Sequence, residues 1–166
     1  MSAITIRRER PDDVGTIHAL TQAAFRDIQF SDGSEPQLVD RLRASGDLTL
    51  SLVAEDQARI VGHIAFSPVT MSDESTEWYG LGPVSVWPDL HGQGIGSALI
   101  RRGLADIREQ GARGVVLLGE PDFYARFGFE HDPALSFPGP PPEYFQRLVL
   151  EGEPPQGEVR YAPAFG

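Results

Sequence analysis

The sequence predicts an α/β fold: a mixed sheet covered by helices on both faces. Three observations carry that expectation. Apolar residues alternate with polar ones in residues 3–8, so a strand opens the chain. Three strand-like runs follow two helical segments, and a strand–helix–strand order comes next, which requires both antiparallel and parallel pairing. The run Gly114-Val115-Val116-Leu117-Leu118 is short and wholly apolar, as a strand inside a sheet should be.

Taken in order, the first strand places Ile4 and Ile6 on one face. Pro11-Asp12-Asp13 starts a helix, continued by Val14, Ile17, Leu20, Ala24 and Phe25 at helical spacing. Residues 29–34 form a loop, and residues 35–44 a second helix with Leu38, Val39 and Leu42 inward. Residues 49–55 and 59–71 make a hairpin through Asp56-Gln57-Ala58. Residues 76–87 form a strand broken by Gly80, Gly82 and Pro83, the mark of a bulge or a close backbone approach. Residues 94–110 form a helix entered through glycines, and a short helix spans about 123–127. Residues 144–150 and 158–161 are strands in a Pro-rich tail, in which Pro138-Gly139-Pro140-Pro141-Pro142 must be loop.

Composition narrows the chemistry. The chain has 166 residues, 40% hydrophobic and 23% charged, the balance of a globular protein. Residues 1–166 are read as one domain, with a core at about 3–130 and an extension at about 132–166. There is no Cys, so disulfides, thiolate metal sites and an acyl-cysteine intermediate are excluded. All basic residues are Arg, which leaves no Lys for a Schiff base. A net charge of −10 argues against nucleic acid as partner. No stretch reaches the ~18 apolar residues of a membrane span, and charge appears by Arg7, without an apolar signal core. The expected location is the cytoplasm of a bacterial-type cell.

The strongest chemical signal is Val84-Ser85-Val86-Trp87-Pro88-Asp89-Leu90-His91-Gly92-Gln93-Gly94-Ile95-Gly96-Ser97. A strand stops at Pro88, a glycine turn follows and a helix opens. Such a turn lets backbone N–H groups approach an anion, and the helix N-terminus adds unpaired donors and partial positive charge. This is a pyrophosphate cradle. It lacks the last glycine of a dinucleotide fingerprint and the Lys of a P-loop. A second signal is Leu117-Leu118-Gly119-Glu120-Pro121-Asp122-Phe123-Tyr124-Ala125-Arg126-Phe127-Gly128-Phe129, rich in aromatics.

Together the two segments resemble the GNAT acyltransferase superfamily. Residues 81–100 resemble its acetyl-CoA-binding motif, a strand ending Val-x-Pro followed by Gln/Arg-x-x-Gly-x-Gly/Ala. Residues 117–129 are similar to its next motif, ending Tyr-x-x-x-Gly-Phe. The resemblance covers about residues 3–130, and the tail is similar to a branch of small bacterial predicted acetyltransferases. It implies a twisted, mostly antiparallel sheet with a splayed parallel pair. It also implies acetyl-CoA as cosubstrate, no metal, and an amine acceptor, either a small molecule or a protein N-terminus, served by a monomer or homodimer. By carry-over, Val84, Ser85 and Val86 would meet the pantetheine arm. The amides of Gln93, Gly94, Ile95, Gly96 and Ser97 would hold the pyrophosphate, with His91 and Gly92 in the same cofactor-binding turn. His91 departs from the family's Gln or Arg. Tyr124 matches the tyrosine near the CoA sulfur and would donate to the departing thiolate, while the Val86 N–H polarises the thioester carbonyl. The bulged strand carries no carboxylate near its bulge, which reads Tyr79-Gly80-Leu81-Gly82-Pro83, so the base is Glu120, Glu35 or a relayed water. The segment between the first two helices, with Phe30 and Glu35, would line the acceptor site. The alternative is a non-catalytic acyl-CoA-binding module.

Overall fold

A computed structural model of the protein describes residues 4–26, 28 and 31–165. Strand β1 (Thr5–Arg8) lies at one edge of the sheet, antiparallel to β2 (Leu50–Asp56). β2 turns back into the 13-residue β3 (Arg59–Met71) through Gln57 and Ala58, both in left-handed backbone with φ of 51° and 68°. That is the conformation a tight two-residue hairpin requires, here made without glycine. β3 pairs antiparallel with β4 (Trp78–Val86), and β4 pairs parallel with β5 (Gly114–Leu118). β5 is antiparallel to β7 (Phe145–Val149), giving the order β1-β2-β3-β4-β5-β7. The short β6 (Leu135–Ser136) runs parallel to β8 (Gly157–Tyr161), and β8 pairs antiparallel with the far end of β3 at Val69–Met71. The Pro-rich tail therefore contributes strands to both β5 and β3.

Strand alternation sorts the two faces of the sheet. Leu50, Leu52, Ala54, Ile64 and Phe66 join Ile95, Leu99, Ile100 and Ile107 of helix α3 (Ile95–Glu109) in the largest apolar cluster. Val53 points the other way, to Ile17 and Leu20 of α1 (Val14–Phe25) and Val39 of α2 (Glu35–Ser45). The tail has its own cluster, in which Leu135, Phe145 and Val159 pack on Val69, Met71, Trp78 and Val116. No described helix is long and apolar enough to cross a membrane.

Three sequence expectations change in detail. Ile4 does not share a strand face with Ile6: β1 pairing begins at Thr5 opposite Glu55, and Ile4 lies before it, 37% exposed. The short helix α4 is Pro121–Ala125, earlier than expected, because Glu120 takes the N-cap and Pro121 the first turn. The two-residue β6 had no sequence signal of its own.

The face under α1 and α2 carries a buried polar chain. Arg43 holds Glu9 through Nε and Nη2 at 2.8 and 2.9 Å, and the Ser51 hydroxyl donates to the same carboxylate. Ser51 then accepts from His63 Nε2 at 2.8 Å. His63 is completely buried, and desolvation holds its pKa down at about 4 against 6.5 for a free histidine. It is a structural histidine, neutral at pH 7. As pH falls below 6.5 the unfolded chain takes up this proton and the folded chain does not, so stability drops until pH nears 4. Chemical denaturation should show His63 costing about 2 kcal/mol of stability between pH 7 and pH 5. The variant His63→Gln should lose that part of the slope, and an unchanged slope would refute the assignment.

Candidate functional site

The site begins where two parallel strands part. β4 and β5 are in register only through Trp78–Gly114, Tyr79–Val115 and Gly80–Val116. Immediately beyond, β4 sets Gly82 and Pro83 against Ala65 alone, since Leu81 faces Phe66 and Val84 faces Ile64. Such a bulge bends its strand. β5 does not follow, because Leu117 and Leu118 remain paired with Gln146 and Phe145. The Gln146 side chain adds a bond from Nε2 to the Gly119 carbonyl at 3.0 Å.

The parted edge of β4 has a fixed polarity. The Trp87 N–H donates to the Val61 carbonyl on β3 at 3.4 Å. The period of two puts the Ser85 amide on that same side and the amides of Val84 and Val86 on the open side. The Val86 carbonyl confirms the direction, since it accepts from His91 Nε2 at 3.0 Å. His91 therefore ties the glycine turn back to the strand end, a role the sequence did not reveal.

The turn itself has the geometry an anion cradle needs. Gly92 and Gly94 hold φ of 83° and 82°, and Gly94 is the N-cap of α3. The first intrahelical bond is Ala98 N–H to Gly94 C=O, so the amides of Ile95, Gly96 and Ser97 have no acceptor within the helix. A cavity of about 520 Å³ runs along this turn and the open edge, walled by Val84, Val86, His91, Gly94, Gly96 and Ser97, with Arg126 beside them. Ser85 is not in that wall. Its side chain is buried on the α1 face, with Oγ 3.5 Å from Thr21 Oγ1. Gln93 is exposed and also lies outside the wall.

A second cavity of about 780 Å³ shares Phe25, Ile28, Val84 and Phe123 with the first. Tyr124, Glu120 and Glu35 all line it. Tyr124 packs edge-on to Phe123 at 4.9 Å and lies 6.0 Å from Phe129. Its ring rests against Gly119 so closely that a Cβ there would sit 2.3 Å from Cε2. Burial pushes the phenol above the ordinary tyrosine value, which keeps its proton in place at neutral pH. Glu120 occupies the N-cap of α4, but its side chain makes no capping bond and is exposed. Glu35 is half-buried and accepts the Ser31 hydroxyl at 2.6 Å. Phe30 lies outside the described residues. The cavity also has walls the sequence did not indicate, Phe137, Tyr161, Ala164 and Phe165 from the tail. Nothing local could have flagged them, because β8 reaches the site through a partner some ninety positions away, Val69 with Tyr161. Among the described residues no group of three or more His, Cys, Asp or Glu side chains is placed to hold a metal ion.

An open mixed sheet with a parted parallel pair beside a glycine-entered helix is the architecture of a GNAT acetyltransferase. The chain belongs to that family, since residues 5–131 match the family model described as an acetyltransferase (GNAT) domain. It is 42% identical over 139 residues to the uncharacterized N-acetyltransferase YhbS of Escherichia coli K12, covering 81% of this chain and 80% of that one. A GNAT family acetyltransferase of Brucella melitensis, solved in complex with acetyl-CoA, superposes with a TM-score of 0.89 at 49% identity over 99% of both chains. Escherichia coli YhbS in complex with CoA gives a TM-score of 0.90 at 36% identity, covering 99% of this chain and 93% of that one.

Gly94 offers a direct test of the cradle. Nothing stands within 4 Å of a Cβ added there, so the cost of Gly94→Ala is conformational, about 1–2 kcal/mol for a left-handed alanine. Denaturation should read that loss, and calorimetry should show weakened acetyl-CoA binding as the amides turn away. Unchanged binding would separate the turn from the donor site.

Proposed function

We propose that this chain is an acetyl-CoA-dependent N-acetyltransferase that moves the acetyl group directly to a primary amine, of a small molecule or a protein N-terminus. The observation that carries the reading is the meeting of the two cavities at Val84, with the open β4 edge in one and Tyr124 in the other. Residues 1–166 act as one unit, and the tail completes the acceptor side.

Acetyl-CoA supplies the activated thioester. The amides at the start of α3 hold its pyrophosphate, where the helix N-terminus favours negative charge. Arg126, which lines the same groove, adds charge to an otherwise acidic chain. The open-edge amide of Val86, at the end tied to the glycine turn, pairs with the pantetheine arm as an added strand would. The N–H that polarises the carbonyl is that of Val84, on the wall the two cavities share, in place of the Val86 N–H expected from the sequence, because Val86 lines the donor groove alone. The amine nitrogen bonds to the carbonyl carbon as the carbon–sulfur bond breaks. Glu120 takes the proton released from the nitrogen, and the Tyr124 hydroxyl protonates the departing sulfur and is reprotonated from solvent. Glu35, held by Ser31, orients the acceptor.

Calorimetry with acetyl-CoA, CoA and NAD tests the donor assignment: micromolar binding of the first two and none of NAD is expected. Tyr124→Phe should lower turnover by about 100-fold while acetyl-CoA affinity stays within threefold. Full turnover in that variant would remove the general-acid role. Glu120→Gln should lower kcat by at least about 10-fold if the carboxylate is the base.

A further inference from the structure

We infer that the acceptor is a small amine borne on a compact apolar body, preferably aromatic, and that the tail selects it. This rests on the N-acetyltransferase reading above and names the substrate class of the same site.

The cavity wall carries the argument. Phe137, Tyr161 and Phe165 form a continuous aromatic surface. Phe137 meets Tyr161 edge-to-face at 5.0 Å, and Tyr161 meets Phe165 at 4.9 Å. Large apolar side chains exposed in the described residues are few: Ile4, Ile28, Leu118, Tyr144 and Phe165. Three of these, Ile28, Leu118 and Phe165, border this one cavity. Leu118 is 40% exposed and Phe165 39%, while the other leucines and phenylalanines among the described residues are more covered. Apolar surface concentrated at a concave site marks a ligand with matching surface.

The polar groups are few and mostly of one sign. Asp32, Glu35 and Glu120 face the cavity against Arg41 alone, so the site favours a cation over an anion. Glu35 lies at the first turn of α2, and its carboxylate is fixed by Ser31 at 2.6 Å. An ammonium drawn to these carboxylates, with its apolar body on the tail aromatics, faces Tyr124 and the shared wall at Val84. A volume of about 780 Å³ is that of a small-molecule site. A polyhydroxylated amine would leave its hydroxyls unpaired against the aromatic wall.

The experiment measures free-thiol release from acetyl-CoA with 2-phenylethylamine and tryptamine, against ethanolamine, glucosamine and a tripeptide with a free N-terminus. The arylalkylamines should exceed the polar amines by at least about 10-fold in kcat/KM. Phe165→Ala and Leu118→Ala alter exposed side chains, and each should collapse that ratio several-fold through KM for the arylalkylamine. Acetyl-CoA affinity, read by calorimetry, should be unchanged, which separates the acceptor wall from the donor groove. Turnover favouring polar amines or the peptide overturns the proposed class, as does acetyl-CoA binding without arylalkylamine turnover. A ratio untouched by both substitutions overturns the role of the wall. Failure to bind acetyl-CoA would instead overturn the underlying enzymatic reading.

Discussion

The parting of β4 from β5 is the constraint on which the rest of the molecule depends. Two opposed restraints produce it. The bulge at Gly82 and Pro83 bends β4, while β7 keeps β5 straight by pairing as far as Leu118. Without the bulge the parallel ladder would continue, and the Val84 and Val86 amides would bond to β5. Without β7, the end of β5 would be free to follow β4. The gap between them exposes backbone donors beside a helix N-terminus and places Tyr124, just after β5, across from them. A ladder hydrogen bond is worth only about 1 kcal/mol net, so leaving a few unmade in a wet groove is a small sacrifice of stability.

The aromatic segment after β5 packs against itself and also holds charge in place. Phe123 is the edge-on neighbour of Tyr124 and also lies under the Arg126 guanidinium, 4.8 Å from its ring centre. Phe127 carries Arg101 at 4.9 Å in the same way. Stacking on a ring restrains a flexible cation at modest energetic gain. In a chain of net charge −10, positive charge that is held in place near the helix N-terminus matters more than its small share of the total.

How much of this was legible in the sequence follows from how local each signal is. The wholly apolar run 114–118 gave away an interior strand, and the glycines at 92 and 94 gave away the turn that opens α3, because each depends on a few consecutive residues. The entry of α4 moved two residues because Pro121 suits a first helical turn, a positional preference easily overlooked beside three aromatics. The side-chain bond from His91 to Val86 spans five residues but needs the turn's three-dimensional path to be seen. Ser85 shares a sequence motif with Val84 and Val86, yet strand alternation turns it to the opposite face. The tail residues of the second cavity were least legible, since their placement depends on pairing between strands far apart in the chain.

That distant pairing bears on the order in which the molecule assembles. The β2–β3 hairpin closes through a two-residue turn, so its contacts cost little chain entropy. The pairing of Val69–Met71 with Val159–Tyr161 must close a loop of about ninety residues before it is rewarded. The β4 edge and the glycine turn can therefore take shape on a chain whose aromatic tail wall is still unformed. Pulse-labelled hydrogen exchange during refolding would see the two cavities as regions of unequal age, an early one at the glycine turn and a late one walled by the tail.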